Sequence, residues 1–106
     1  MNSLPSPSKS DAAFPFTVYE QQFKALADSQ RLEILHHITA AGSVCVCDLT
    51  ERMNLPQSKL SYHLKILLDA SLIDREKHGT WNYYMLNDQA LNHLLSEELC
   101  CLFRGK

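Results

Sequence analysis

The chain lacks any apolar run near the roughly 20 residues that a membrane-spanning helix needs, so no such helix is expected. It lacks a charged start followed by an apolar stretch, so no secretion signal is read and the cytoplasm is the expected compartment. There its four cysteines point to metal binding, redox sensing or core packing rather than to a disulfide framework. It lacks a basic excess: the net charge is −2, so bulk composition gives no sign of a nucleic-acid partner. No nucleophile with an orienting base is visible, which argues against an enzyme such as a small thiol reductase. At 106 residues the chain is one domain with a short tail.

What is present is strong periodicity. Residues 1–13, rich in Ser and Pro, read as a mobile tail, and residues 14–106 as the domain. A first helix runs from Phe16 to about Ala27. Asp28 or Ser29 caps a second, in which Leu32, Leu35 and Ile38 recur, and Gly42 ends it. A short helix spans about Val46 to Met53. After the turn Asn54-Leu55-Pro56, the clearest helix covers Gln57 to Ala70, with Leu60, Leu64, Leu67 and Leu68 as its buried stripe. The period then changes to two: Leu72 to Lys77 and Trp81 to Leu86 are strands joined at His78-Gly79. Asn87 or Asp88 caps one last helix, to Phe103, striped by Leu91, Leu94, Leu95, Leu99 and Leu102. The fold class is mainly α with a β-hairpin wing, in the order α-α-α-α-β-β-α: a winged helix-turn-helix. In such proteins the second helix of the motif enters the major groove of DNA.

Two constellations carry chemistry. Cys45 and Cys47, beside Asp48, form a soft-metal clamp at a helix start, where thiolates are favoured. Inside a regular helix, side chains two apart diverge by about 200°, so the pair chelates only if Cys45 precedes the helix. The second is the outer face of the Gln57 helix. Gln57, Ser58, Ser61 and Tyr62 suit base edges or phosphates, Lys59 and Lys65 suit phosphates, and His63 joins them as a candidate DNA contact. Arg75, Lys77, His78 and Thr80 at the hairpin tip reach the neighbouring groove or backbone, while Trp81, Tyr83 and Tyr84 read as wing and core packing.

These residues carry a resemblance. Ala25-Leu26-Ala27-Asp28, Arg31 to Ile34, Cys45-Val46-Cys47-Asp48-Leu49, Gln57 to Leu64 and the wing Gly79 to Tyr84 resemble the ArsR/SmtB metalloregulatory repressors, in their arsenic-sensing branch. The likeness covers residues 19 to 103. It implies a homodimer joined through the first and last helices, using Val18, Phe23, Leu91, Leu95 and Leu99. It also implies binding to double-stranded operator DNA without a cofactor, and release when arsenite or antimonite is captured by cysteine thiolates. Another soft ion (cadmium, lead, zinc or copper) or thiol oxidation is the alternative trigger. One departure stands out: several relatives place a third cysteine three residues after the second, and here that position is Thr50. One of Cys100 or Cys101 could complete the site from the same or the other subunit; the two could also form a separate thiol site, or pack beside Leu99. The Asp-x-His pattern of zinc-sensing relatives is absent from the last helix, where Asp88 and His93 stand five apart.

Overall fold

The computed structural model describes residues 16–104. The expected tail over residues 1–13, Phe14 and the side chains of Leu102 and Phe103 lie outside the described residues. The elements in chain order are α1 (Phe16–Leu26), α2 (Ser29–Ala41), β1 (Val44–Cys45), α3 (Val46–Met53), α4 (Gln57–Asp69), β2 (Ile73–His78), β3 (Trp81–Leu86), α5 (Asp88–Leu94) and α6 (Glu97–Arg104).

Local chemistry sets these boundaries. The Asp28 carboxylate caps α2 by accepting from the backbone N–H groups of Gln30 and Arg31, at 2.9 and 3.1 Å. Gly42 ends α2 with φ 87°, a conformation that disfavours any side chain. Asn54 closes α3 in the left-handed region, and Pro56 stands immediately before α4. Ile34, Ile38, Leu49, Leu60, Leu64, Leu67, Leu72 and Ile73 meet in a fully buried core. α3 packs on α4, and α1 on both α2 and α4. A side-chain tie reinforces the last contact: buried Gln22 of α1 donates from Nε2 to the Ala70 carbonyl at 3.1 Å.

The structure departs from the expected order twice. Val44 and Cys45 form a strand that pairs with Tyr84 and Tyr83 of β3, so the wing hairpin is two strands of a three-stranded antiparallel sheet ordered β1-β3-β2. Two residues are too few to show a period of two. The last helix is also broken into α5 and α6. Ser96 turns the chain: its hydroxyl donates to the His93 carbonyl at 2.6 Å and accepts from the Leu99 N–H at 3.2 Å, capping α6. Of the expected stripe, Leu94 and Leu99 are buried and Leu91 is half-buried, while Leu95 faces solvent.

Candidate sensor site and nucleic-acid interface

Cys45 is at once the end of a strand, the cap of a helix and a donor atom. Its backbone is extended (φ −97°, ψ 169°) and it stands just before α3, as chelation by a pair two apart requires. Its Sγ accepts the Asp48 N–H and the Asp48 carboxylate accepts the Cys45 N–H, both at 3.4 Å. This reciprocal box satisfies donors that a helix start leaves free. Cys45 is buried and Cys47, on the first turn, is exposed. Their Cα atoms lie 5.3 Å apart and the two sulfurs are joined as a disulfide, where the sequence led us to expect free thiols. The physical reason is the same proximity that chelation needs, and ligation belongs to the reduced dithiol.

Among the described residues, Cys45, Cys47 and Asp48 form a group of potential metal ligands whose donor atoms lie within 4.8 Å of one another. Cys100, exposed, and Cys101, half-buried, are free on α6 and are not part of that group. Thr50 donates its hydroxyl to the Cys47 carbonyl at 2.8 Å. A cleft of about 300 Å³ opens beside Cys47, walled by Val46 and Thr50 of α3, Gln57 of α4, and Thr80, Trp81 and Asn82 of the wing.

On α4, Gln57, Ser58, Lys59, Ser61, Tyr62 and Lys65 are all exposed, Tyr62 at 62%. Lys65 pairs with Asp69 one turn on, at 3.2 Å. Arg75, Lys77, His78 and Thr80 are exposed on the hairpin, where His78 packs edge-on to Tyr83 and lies 3.5 Å from Glu76. Of the wing aromatics, Tyr84 is buried and Tyr83 half-buried, but Trp81 is 56% exposed and so is not core packing.

His63 corrects the sequence reading. It is 3% exposed and faces inward, so it is not available to DNA. Its Nδ1 lies 3.1 Å from Arg31 Nη1 and its Nε2 3.0 Å from Gln30 Oε1. Arginine only donates, so Nδ1 accepts and the ring proton sits on Nε2, donated to Gln30. Burial holds the imidazole below its ordinary pKa, with Arg31 and Lys59 adding to the effect and Asp28 opposing it. Arg31 also donates from Nε to the Ala25 carbonyl at 2.7 Å. His63 thus bolts the back of α4 to the junction of α1 and α2. Arg31 and Gln30 were missed as site residues, yet His63 falls three after Leu60 and four before Leu67, on the buried stripe. That spacing was the available signal.

A model for bacterial regulatory proteins of the arsR family matches residues 28–75. The chain is 66% identical over 88 residues to the arsenical resistance operon repressor of Bacillus subtilis strain 168, spanning 83% of this chain and 84% of that protein. A crystal structure of a possible transcriptional regulator for arsenical resistance is similar with a TM-score of 0.67 and 29% identity, over 78% of this chain and 83% of that one. A homodimeric winged helix-turn-helix DNA-binding domain from Mycobacterium bovis, a possible ArsR-family regulator, is similar with a TM-score of 0.71. It covers 94% of this chain and 90% of its own, and at 21% identity it bears on the fold alone.

Proposed function

Because the chain belongs to the ArsR family of bacterial regulatory proteins, we propose that it is a cytoplasmic homodimeric repressor that leaves its operator when arsenite or antimonite binds. The relatives are transcription regulators, not enzymes, and the helix-turn-helix of α3 and α4 is the DNA-binding element. The observation that carries the reading is the Cys45–Cys47 pair at the cap of α3, the helix that braces α4.

The donor set fits a soft trivalent ion: two adjacent sulfurs, one buried and one exposed, with a carboxylate behind them. Ion capture by the dithiol competes for the sulfur that caps α3. In the dimer two copies of α4 meet DNA about one helical turn apart, so a small tilt of α3 lowers affinity for both half-sites together. One of Cys100 or Cys101, from either subunit, is the candidate third sulfur. Adjacent helical residues point about 100° apart, so at most one of the two faces a given site. DNA binding itself needs no cofactor in this reading; Gln57, Ser58, Ser61 and Tyr62 address bases or phosphates, and Lys59, Lys65, Arg75, Lys77, His78 and Thr80 the backbone.

The disulfide favours a second reading, release by thiol oxidation. Two thiols then pass two electrons and two protons to a peroxide, which leaves as water. Operator release by the reduced protein separates the two. Cys45→Ser and Cys47→Ser are expected to fold, dimerise and bind DNA, yet to stay bound in arsenite. If Cys47→Ser still dissociates at the wild-type arsenite concentration, the sensor lies elsewhere. Release by peroxide with no arsenic present supports the oxidation reading.

A further inference from the structure

We propose that the cleft between α3 and the wing straddles one sugar–phosphate strand of the operator, with Trp81 laid along it, so that bound DNA covers the exposed sulfur of reduced Cys47. The inference rests on the reading that α4 enters the major groove.

A duplex held this way needs a seat for such a strand. One sugar–phosphate ridge separates the major groove from the minor groove beside it. Gln57 is the first residue of α4, and the N-terminal residues of a recognition helix are those that meet base edges. Thr80 lies at the tip of the wing, which reaches the neighbouring groove. The ridge between the two grooves therefore passes between Gln57 and Thr80, and both line the cleft of about 300 Å³. Cys47 of α3 lies on its wall.

The sheet leaves this space open. Pairing of β1 with β3 ends at Cys45 and Tyr83, where α3 starts. Strand β3 begins two residues before that point, so Trp81 and Asn82 have no strand beside them on the β1 side. Trp81 leaves 56% of its area uncovered next to polar Gln57, Thr80 and Asn82. That mixture suits a sugar–phosphate strand. The indole face takes the apolar side of a deoxyribose, and its N–H has a phosphate oxygen to meet. The two amides and the hydroxyl donate to phosphates as well. None of the described residues that wall the cleft is lysine or arginine; Lys59 of α4 and Lys77 of β2 stand outside it. Cys47 is exposed on that wall, so a strand seated there shuts its sulfur from solvent. An adduct on the sulfur and DNA in the cleft then exclude one another, independently of any tilt of α3.

The test reads the sulfur directly and needs no arsenic. The full chain is reduced with a phosphine, which is then removed. It is alkylated with N-ethylmaleimide, alone and with an operator duplex found by footprinting the DNA upstream of its own gene. Peptide mass spectrometry follows Cys47, with exposed Cys100 of α6 as the internal comparison. With the duplex at about ten times its Kd, about a tenth of the protein stays free. Cys47 is then expected to react roughly tenfold more slowly, with Cys100 unchanged. Trp81→Ala is expected to lower operator affinity roughly tenfold through lost apolar contact, with the salt slope unchanged because no ion pair is lost. Trp81→Phe is expected to keep most of the affinity. An unchanged Cys47 rate on saturating operator overturns the proposal while leaving DNA binding by α4 intact. So does equal slowing of Cys100, or a Trp81→Ala protein that binds as wild type does. Slowing of Cys47 with rising protein concentration and no DNA would give the cleft to a second copy, and overturns it too. If the chain binds no duplex from that region, the DNA-binding reading itself fails.

Discussion

Two outer faces of this molecule are exposed and differ in what they expose. The face of α4 and the wing presents Gln57, Ser58, Ser61, Tyr62 and a scatter of lysine, arginine and histidine. The outer sides of α1 and the residue that ends α5 present Phe16, Val18, Phe23 and Leu95, at 58, 46, 40 and 70% exposure. The first face is polar at its tips and rigid behind, because His63 and Leu60 fix the back of α4 to the core. The second is apolar at its tips, with Tyr19 of α1 hydrogen-bonded to His93 of α5 at 3.0 Å. Exposed polar groups over a fixed backbone suit a hydrated, charged partner whose edges must be met in register. Exposed large apolar side chains suit a dry partner of the same kind. A second copy of the chain meets that description for α1 and α5, and DNA for α4.

The sharpest way to break this comparison is to make the second face resemble the first. Val18→Asp together with Leu95→Asp puts two charges on the apolar face without touching the buried core. The variant is expected to sediment as a folded monomer. A monomer loses the linked second half-site, and operator affinity is expected to fall by roughly 100-fold or more. A double variant that remains dimeric would show that the copies meet elsewhere. Next in size is the polar face itself. Gln57→Ala and Tyr62→Ala are each expected to cost about 1–3 kcal/mol of operator binding if they touch bases. Lys65→Ala is expected to weaken all sequences alike and to lower the salt slope by about one. Unchanged operator affinity in the Gln57/Ser61/Tyr62 triple alanine variant, measured by fluorescence anisotropy, would remove α4 from the interface.

Much of this arrangement was legible in the sequence, and the misses have physical causes. Asp28, Gly42 and Asn87 mark helix ends because a carboxylate, an absent Cβ and an amide each solve a terminus in their own way, and the structure uses all three. The stripe Leu60, Leu64, Leu67 fixed the inward side of α4, and with it the outward side. The placement of Cys45 ahead of α3 followed from the expected helix start near Val46, and the divergence of side chains two apart made that placement the condition for chelation. Strand β1 was hidden because pairing with Tyr83 and Tyr84 is a long-range event that two residues cannot announce. The break at Ser96 was hidden because the leucine spacing runs on through it, and a serine caps only once the chain has turned. Trp81 was misjudged because an aromatic on a strand has two faces to choose from, and here it takes the one toward the cleft and solvent.

The smallest expected effect concerns what holds the polar face rigid. His63 is neutral in the fold: Nδ1 accepts a hydrogen bond from the Arg31 guanidinium, and Nε2–H donates to Gln30 Oε1. The charged groups that bear on it are Arg31 and Lys59, which resist its protonation, and Asp28, which favours it. Its pKa in the fold lies below that of the unfolded chain, because burial penalises the imidazolium. Below the ordinary histidine value of about 6.5 the unfolded chain therefore binds more protons than the fold. Stability from this group is full above that pH and is lost as pH falls through the interval between the two values. A protonated His63 would also set a second cation against Arg31 and remove the acceptor that anchors it. Thermal unfolding of wild type between pH 7.5 and 5.5 is expected to show a falling midpoint. His63→Gln keeps a polar side chain in the bolt but cannot titrate, so its midpoint should fall less over the same range. Parallel decline in the two proteins would assign the pH dependence to other groups, and the rigidity of α4 to its leucines alone.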